Sequence, residues 1–243
     1  MSIPTGLYVS LSAQMALQKR LETIADNVAN ANTVGFRATG IKFEDVVTGT
    51  GDKSVDFASQ GTNFLSGKAG GLTRTGDPYD FAVQGDAWFG IATPAGTVMT
   101  RDGRFTMSPA GELVTHEGYA VLDAGGAAIQ LNPNDGPPVA GKDGTLRQDG
   151  KLVAAIGLFT FDAGPNVQRF GNSGVIPAGR PVPVVDDATV GVEQGFPEQS
   201  NVDPMREMAR LIMVQRTFED TASLVRKSEA TLDDAIKTLG SKT

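Results

Sequence analysis

The sequence predicts an α+β protein in which heptad helices at the two ends of the chain flank a central all-β domain. Apolar residues recur at steps of three and four in both terminal segments, which is the spacing of helices that pack side by side. Between them, short apolar runs alternate with turn signals, a pattern typical of antiparallel sandwiches and barrels. We therefore expect the terminal helices to pair as a coiled-coil-like assembly domain and the middle to form an antiparallel barrel or sandwich.

The first predicted element is an N-terminal assembly helix in residues 1–35. Its heptad spacing is strongest in the second half, and Gly35 is a plausible terminator. Several asparagines interrupt it, although Asn is a weak helix former. At an interface they would make register-fixing hydrogen bonds, as a buried Asn does in coiled coils; the alternative is solvated amides that end the helix. The interface residues predicted here are Leu17, Leu21, Ile24, Asn27, Val28, Asn30, Ala31, Gly35 and Phe36.

The middle of the chain divides into an extended connector, residues 36–75, and a central all-β domain, residues 76–200. The connector is rich in Gly, Ser and Thr and has weak periodicity. In the β domain, Thr93–Gly96 and Ser108–Gly111 place Pro and Gly as a type I turn requires, and Asp102-Gly103 is a hairpin signal. Closely spaced antiparallel strands are therefore expected here.

The last element is a C-terminal assembly helix in residues 201–243. Asp203-Pro204 reads as an N-cap with proline at the first helical position, and Gly240 supplies the stop. At about 1.5 Å per residue the helix would be roughly 55 Å long. Such a helix is too long to pack wholly onto a domain of this size, so part of it needs another partner. The predicted interface residues are Met208, Leu211, Gln215, Phe218, Val225, Leu232 and Ile236.

Charge follows the same division. Residues 1–42 carry four basic and two acidic side chains, and residues 203–243 carry seven of each. Since the formal net charge is −7, the segment between them carries −9. Near-neutral ends with apolar seams and an acidic middle suit a chain that assembles through its ends.

Composition excludes several classes of function. The acidic balance argues against nucleic-acid binding. The absence of cysteine and the single histidine exclude disulfides, zinc–thiolate sites and a two-histidine metal site within one chain. No run approaches the roughly 18 apolar residues of a membrane span, so no membrane insertion is expected. The N-terminus lacks the pattern of a cleaved signal peptide.

No constellation of catalytic residues is predicted. Gly49–Ser54 resembles a phosphate loop, but Asp52 stands where the motif needs glycine. His116 reads as a solvated turn histidine. Most aspartates occupy turn positions, where Asp bonds its own backbone. We therefore predict no enzyme activity, catalytic residue, cofactor or metal; a remote alternative is an oligomeric glycan-binding or hydrolysing β module, which would need a pocket with paired carboxylates or exposed aromatics.

Three motifs in order resemble the bacterial flagellar axial proteins, the rod and hook family. The run "VQGDAWFGIATPAGTVMTRDGRFTMSPAGELVTHEGYAVL" is similar to the family's central domain, and "SNVDPMREMARLIMVQRTFED" to its closing helix. The run "IADNVANANTVGF" resembles its N-terminal signature, through Ala25, Asp26, Asn27, Ala29, Asn30, Thr33, Gly35 and Phe36.

The resemblance implies a structural subunit of the rod, the driveshaft that crosses the periplasm. Length and the start of the chain favour a proximal-rod subunit, and a distal-rod subunit is the alternative. Distal-rod members usually carry Ala-Thr-Gly-Met where this chain has Ser12-Ala13-Gln14-Met15. The implied partners are other proximal and distal rod subunits and the flagellar type III export apparatus, which uses no cleaved signal. The implied location is the periplasmic rod of the basal body.

Overall fold

The structure is a computed structural model that describes residues 3–43, 45–48, 55–58, 61–185 and 187–240. Side chains are described over 9–43, 61–185, 187–231 and at 237. The Gly49–Ser54 loop and the side chains of Leu232 and Ile236 lie outside these ranges. The α+β class is confirmed: two long helices accompany a set of antiparallel strands.

The chain folds as two compact units. Unit 1 comprises Met1–Ala29, Gly40–Asn63 and Asp203–Thr243, and unit 2 comprises Asn30–Thr39 and Phe64–Val202. Each unit is therefore assembled from separated parts of the sequence. The fourfold division into 1–35, 36–75, 76–200 and 201–243 stays a prediction about how the segments work.

Unit 1 is built on two helices, α1 (Ile3–Ala29) and α2 (Pro204–Gly240). Asp203 caps α2, because its Oδ1 accepts a 3.1 Å hydrogen bond from the amide of Arg206. The two helices pack against each other within the one chain. A partner outside the chain is therefore not required for every part of their apolar surface. No helix within the described ranges has a stretch long and apolar enough to cross a membrane.

Short strands accompany the helices. They are β1 (Thr39–Lys42), β2 (Asp45–Thr48), β3 (Val55–Ala58) and β4 (Thr62–Leu65). Strands β2 and β3 form an antiparallel pair, β1 pairs with β4, and β3 contacts α1. Part of the predicted connector thus has regular structure.

Unit 2 is a set of short antiparallel strands. They are β5 (Phe81–Gln84), β6 (Trp88–Thr93), β7 (Gly96–Thr100), β8 (Phe105–Met107), β9 (Leu113–Thr115), β10 (Ala120–Val121), β11 (Val139–Ala140), β12 (Thr145–Gln148), β13 (Lys151–Ala155), β14 (Leu158–Thr160), β15 (Gln168–Phe170), β16 (Gly174–Ile176), β17 (Val182–Pro183) and β18 (Gly191–Gln194). The largest sheet runs β15-β16-β7-β6-β10-β9-β8, with β14 on β6 and β17 on β14. Strands β11-β12-β13 form a second sheet, and β18-β5 form a third.

The largest sheet forks at β6 instead of closing. One edge of β6 pairs with β7, while β10 pairs beside Ile91 and Ala92, and β14 pairs beside Trp88 and Phe89. Two short partners thus follow one another along β6. The described strands therefore form no closed barrel, which corrects that part of the expected fold; the sandwich-like arrangement stays a prediction.

Two of the three predicted turns are confirmed as hairpins. The Thr93–Gly96 turn joins β6 to β7, and Ser108–Gly111 joins β8 to β9. The prediction for Asp102-Gly103 is wrong, since β8 pairs with β9 and not with β7. The carbonyl of Gly103 instead accepts a 2.9 Å hydrogen bond from the amide of Phe81, so this segment packs along β5.

The core of unit 2 lies on both faces of β6. Phe89 packs edge-on against Phe105, at 5.2 Å between ring centroids, within the larger apolar cluster. Trp88 points to the other face and packs with Met99 and Phe159. Adjacent residues of a strand alternate between its faces, so this one strand contributes to both clusters.

Candidate assembly surfaces

One face of helix α1 is packed within the folded chain, and another face is exposed. Ile24 and Asn27 are buried, so two of the predicted interface residues already lie inside the folded chain. Leu17, Leu21 and Val28 are half-buried. The opposite face carries Leu11 and Met15, each about half exposed at 47% and 49%.

The predicted seam of helix α2 is likewise partly buried and partly exposed. Val214 is buried, and Leu211, Phe218 and Val225 are half-buried. Met208 and Gln215, in contrast, are exposed. The predicted seam is therefore shared between packing inside the chain and a solvent-facing surface.

An apolar face of α2 is open to solvent. Met205 is 77% exposed, and Met208 and Ile212, which follow it at steps of three and four, are also exposed. Met213 and Leu224 are exposed further round the helix. Contiguous exposed apolar residues of this kind mark interaction surfaces. Met205, Ile212 and Met213 are not among the predicted interface residues, because the prediction assumed a single apolar seam on each helix. The signal was present, since 205, 208 and 212 follow the same steps of three and four.

The predicted interface residues that follow α1 have a structural role within unit 2. Asn30 and Ala31 are half-buried, and the hydroxyl of Thr33 donates to Oδ1 of Asn30 at 3.2 Å. Gly35 and Phe36 are buried. The amide of Gly35 donates a 2.7 Å hydrogen bond to the carbonyl of Glu198, which holds this segment in place.

Glu198 is the centre of a buried ionic cluster, here called the Glu198 cluster: Glu198, Arg37, Arg101 and Trp88. The carboxylate accepts from Nη2 of Arg37 at 2.8 Å and from Nη1 of Arg101 at 3.1 Å. The three charged side chains are only 1–3% exposed. Oε1 also accepts from the amide of Gly70 at 2.8 Å, so one carboxylate holds three separated segments of chain.

Burial sets the electrostatics of this cluster. Burial and, to a smaller extent, the neighbouring charge of Arg37 lower the pKa of Arg101 to about 10 against the opposing effect of Glu198. Burial also lowers the pKa of Arg37. Both guanidinium groups lie near the ring of Trp88, at 5.8 Å for Arg37 and 5.4 Å for Arg101. The carboxylate of Glu198 and the ring of Trp88 thus each interact with both buried cations.

Backbone oxygens complete the shell of Arg101. Its Nη1 donates to the carbonyl of Val83 at 3.0 Å, and its Nη2 donates to that of Gly85 at 2.6 Å. The planar fork of a guanidinium suits such divergent acceptors, which a lysine could not reach together. The cluster therefore joins the end of β5 to the segments on either side.

Arg37, Arg101 and Glu198 were not predicted from the sequence to be functional or structural site residues. Arg37 directly follows the N-terminal signature, Arg101 lies in the central motif, and Glu198 comes shortly before the C-terminal one. Their proximity to the three motifs was a usable signal. Their pairing with one another was not, because long-range partners are invisible in one sequence.

A cavity of about 200 Å³ lies elsewhere in unit 2. Its lining includes His116, Tyr119, Phe170 and the ion pair of Asp102 with Arg104, whose side chains approach to 2.6 Å. Asp102 and Glu117 both line this cavity, but Asp102 is engaged in the ion pair with Arg104, whereas the glycosidase-like alternative would require two carboxyl groups that act as acid and base.

Known proteins are similar to this chain over nearly its whole length. Three family models match in order: "Flagella basal body rod protein" over residues 7–37, "Flagellar hook protein FlgE/F/G D1 domain" over 82–154, and "Flagellar basal body rod FlgEFG protein C-terminal" over 193–238. The flagellar basal-body rod protein FlgF of Mesorhizobium japonicum is 66% identical, with 98% of each chain covered. The chain belongs to the FlgF family of flagellar basal-body rod proteins.

Other relatives support the same assignment. The FlgF protein of Rhizobium meliloti is 55% identical over 97% of this chain and 98% of its own. The FlgG protein of Bacillus subtilis is 31% identical over 95% of this chain and 97% of its own, so the FlgG-like alternative is less supported. This FlgF-family chain is accordingly a structural rod subunit of the flagellar basal body that assembles with other rod subunits, and it is not an enzyme.

The family matches and the Glu198 cluster coincide. Arg37 lies in the first matched range, Arg101 in the second and Glu198 in the third. Each of the three matched ranges therefore contributes one charged residue to a single buried site in this member of the FlgF family.

Proposed function

We propose that this subunit belongs to the proximal rod and assembles through the exposed apolar faces of α1 and α2. In this proposal the helices form a coiled-coil-like assembly domain with helices of adjacent axial subunits. Residues 1–35 and 201–243 are its assembly segments, 36–75 connect them to the domain of residues 76–200, and Gln215 lies at the edge of the contact. The exposed apolar face of α2 is the observation that carries the proposal.

Physical chemistry favours this use of the helices. Packing between α1 and α2 already covers Ile24 and Val214, yet Met205, Met213 and Leu224 remain more than 60% exposed. Burying a side chain of this size contributes about 1.5–3 kcal/mol. A subunit surrounded by equivalent helices would gain this on each covered face, whereas an isolated chain would leave it in water.

Ile212→Asp is expected to abolish rod assembly while leaving the isolated protein folded. Ile212 is 53% exposed in the chain, so a carboxylate there stays hydrated until a neighbouring subunit covers it. Burying it unpaired then costs several kcal/mol per contact, and every subunit repeats the defect. The measurements are swimming in soft agar with the variant as the only copy, imaging of basal bodies, and thermal melting of the purified protein.

Ile212→Leu is the matched control, since it preserves the apolar surface and should swim normally. Normal rods in the Ile212→Asp strain would show that this face is not an interface. Loss of the melting transition in that variant would show that the residue supports the fold of the chain itself.

We also propose that the chain reaches the rod through the flagellar type III apparatus with its N-terminus uncleaved. The family assignment supports this route, because axial proteins assemble beyond the cytoplasmic membrane. The intact mass of the protein from purified basal bodies is expected to retain the residues that begin "MSIPTGLYVS", apart from an initiator methionine. A mature form shortened by a secretory leader would contradict the proposal.

A further inference from the structure

The hairpin of β12 and β13 presents apolar side chains to solvent. Val139 pairs with Arg147, and Arg147 pairs with Leu152, so the three residues form one row across the second sheet. Directly paired residues share a face of a sheet. Val139 and Leu152 are 65% and 60% exposed, and Val153, which lies at the register shift between the two strands, is also exposed. The row of Val139, Arg147 and Leu152 is therefore exposed to water, whereas Leu146 and Gln148 of β12 are buried and attach the hairpin to the domain.

The charge of this hairpin is opposite to that of the middle of the chain. Arg147 and Lys151 are exposed beside Leu152, and Asp149 in the turn is the acidic residue between them. The segment 43–202 carries a strong negative charge. A basic, apolar projection from an acidic surface fits an acidic, apolar recess.

The cavity of about 200 Å³ has this chemistry. Ile91, Tyr119 and Phe170 supply apolar wall, with the two aromatic rings edge-on at 5.5 Å. An apolar cavity of about 150 Å³ is large enough to hold a benzene ring. The recess can therefore accept one aliphatic side chain of the size of leucine.

The rim of the cavity is acidic. Arg104 lies among three carboxylates: Asp102 raises its pKa through hydrogen bonding and charge, and Asp80 and Glu117 raise it through charge. Glu117 is exposed and lines the cavity directly. Of these three acids, Asp102 and Glu117 line the cavity together with Arg104. Two acids against one guanidinium leave net negative charge where a lysine or arginine beside an inserted side chain would lie.

Symmetry favours contact between copies through two different surfaces. Two unlike, complementary patches on one molecule make a head-to-tail contact, and such contacts propagate along an open helical assembly, unlike the closed contact of a symmetric dimer. A rod is an assembly of this open kind, so a projection and a recess on one unit suit it.

We propose that the β12–β13 hairpin of one copy inserts Leu152 into the Tyr119–Phe170 cavity of the next copy, with Arg147, which shares a face of the sheet with Leu152, facing Glu117. This inference rests on the proposed function, since it requires assembled rods. It concerns unit 2, however, and the helix faces could hold the rod together without it.

Cysteine cross-linking tests the contact directly, because the chain has no cysteine of its own. A strain carries the Arg147→Cys, Glu117→Cys double variant as its only copy, and purified basal bodies are oxidised and separated without reducing agent. We expect covalent dimers and longer oligomers of this chain that disappear on reduction. Each single-cysteine variant should stay monomeric, as should Arg147→Cys combined with Asp162→Cys, an exposed acid outside the cavity.

Three outcomes would overturn the inference. They are assembled rods without cross-links, dimers from Arg147→Cys alone, which would indicate that two hairpins pack on each other, and cross-links to another rod protein. Each leaves the helix-mediated assembly intact, so the two proposals fail separately.

Charge reversal decides the case in which the cysteine pair does not assemble. Arg147→Glu and Glu117→Arg should each shrink the swimming halo, because each places like charges in contact. The double reversal should restore the halo. Singles that swim normally, or a double that fails to recover while the purified protein still melts normally, would contradict the contact.

Discussion

Replacing Glu198 with Gln is expected to lower the free energy of unfolding by about 3–5 kcal/mol, the usual cost of removing one partner from a buried ion pair. The Gln amide keeps the shape of the side chain and can still accept from the amide of Gly70. It removes the one negative charge that both Arg37 and Arg101 contact. Two buried guanidinium groups would then remain without a counter-ion in the cluster, which is the reason for the large effect.

Urea denaturation followed by fluorescence measures this loss. The chain has a single tryptophan, and Trp88 lies against both arginines, so its emission reports on the cluster itself. Glu117→Gln, at an exposed carboxylate, is the matched control and should unfold as the parent protein does. A midpoint for Glu198→Gln equal to that of the control would show that the ion pairs contribute nothing to stability.

Gly35→Ala is expected to destabilise the protein by about 2–4 kcal/mol through strain and overpacking together. Gly35 has a φ of +71°, where an L side chain is disfavoured, and an added Cβ would lie 2.1 Å from the backbone nitrogen of Asp102. Backbone cannot move aside as a flexible side chain can. The segment would have to leave its place, and the 2.7 Å hydrogen bond from Gly35 to Glu198 would be lost.

Gly76→Ala separates the two causes. Gly76 has nearly the same φ, +74°, but an added Cβ there meets nothing within 4 Å. In this control, only backbone strain lowers the free energy of unfolding, by about 1–2 kcal/mol. The difference between the two variants in urea denaturation therefore measures the clash. Equal midpoints would mean that the chain after α1 can shift freely, and that its close packing is not needed.

Local signals in the sequence were sufficient for the start of α2 and for two hairpins, whereas α1 ends at Ala29, before the Gly35 that was expected to terminate it. Asp203 and Pro204 mark the start of α2 because capping depends on neighbouring residues alone. The Pro and Gly positions of Thr93–Gly96 act through the backbone angles of one turn. Asp102-Gly103 carried an equally strong signal and did not form a hairpin, because its segment found a partner in the distant strand β5.

The motifs by themselves determined the family, and with it the role of a structural rod subunit. Which face of each helix remains open was decided only by tertiary structure. Periodicity shows that α2 has apolar faces, but the packing of α1 against it covers Val214 and leaves Ile212 in water. The meeting of Arg37, Arg101 and Glu198 was likewise decided by the fold. Backbone geometry sets the period of an element locally, whereas the partner of a side chain depends on contacts between residues far apart in the chain.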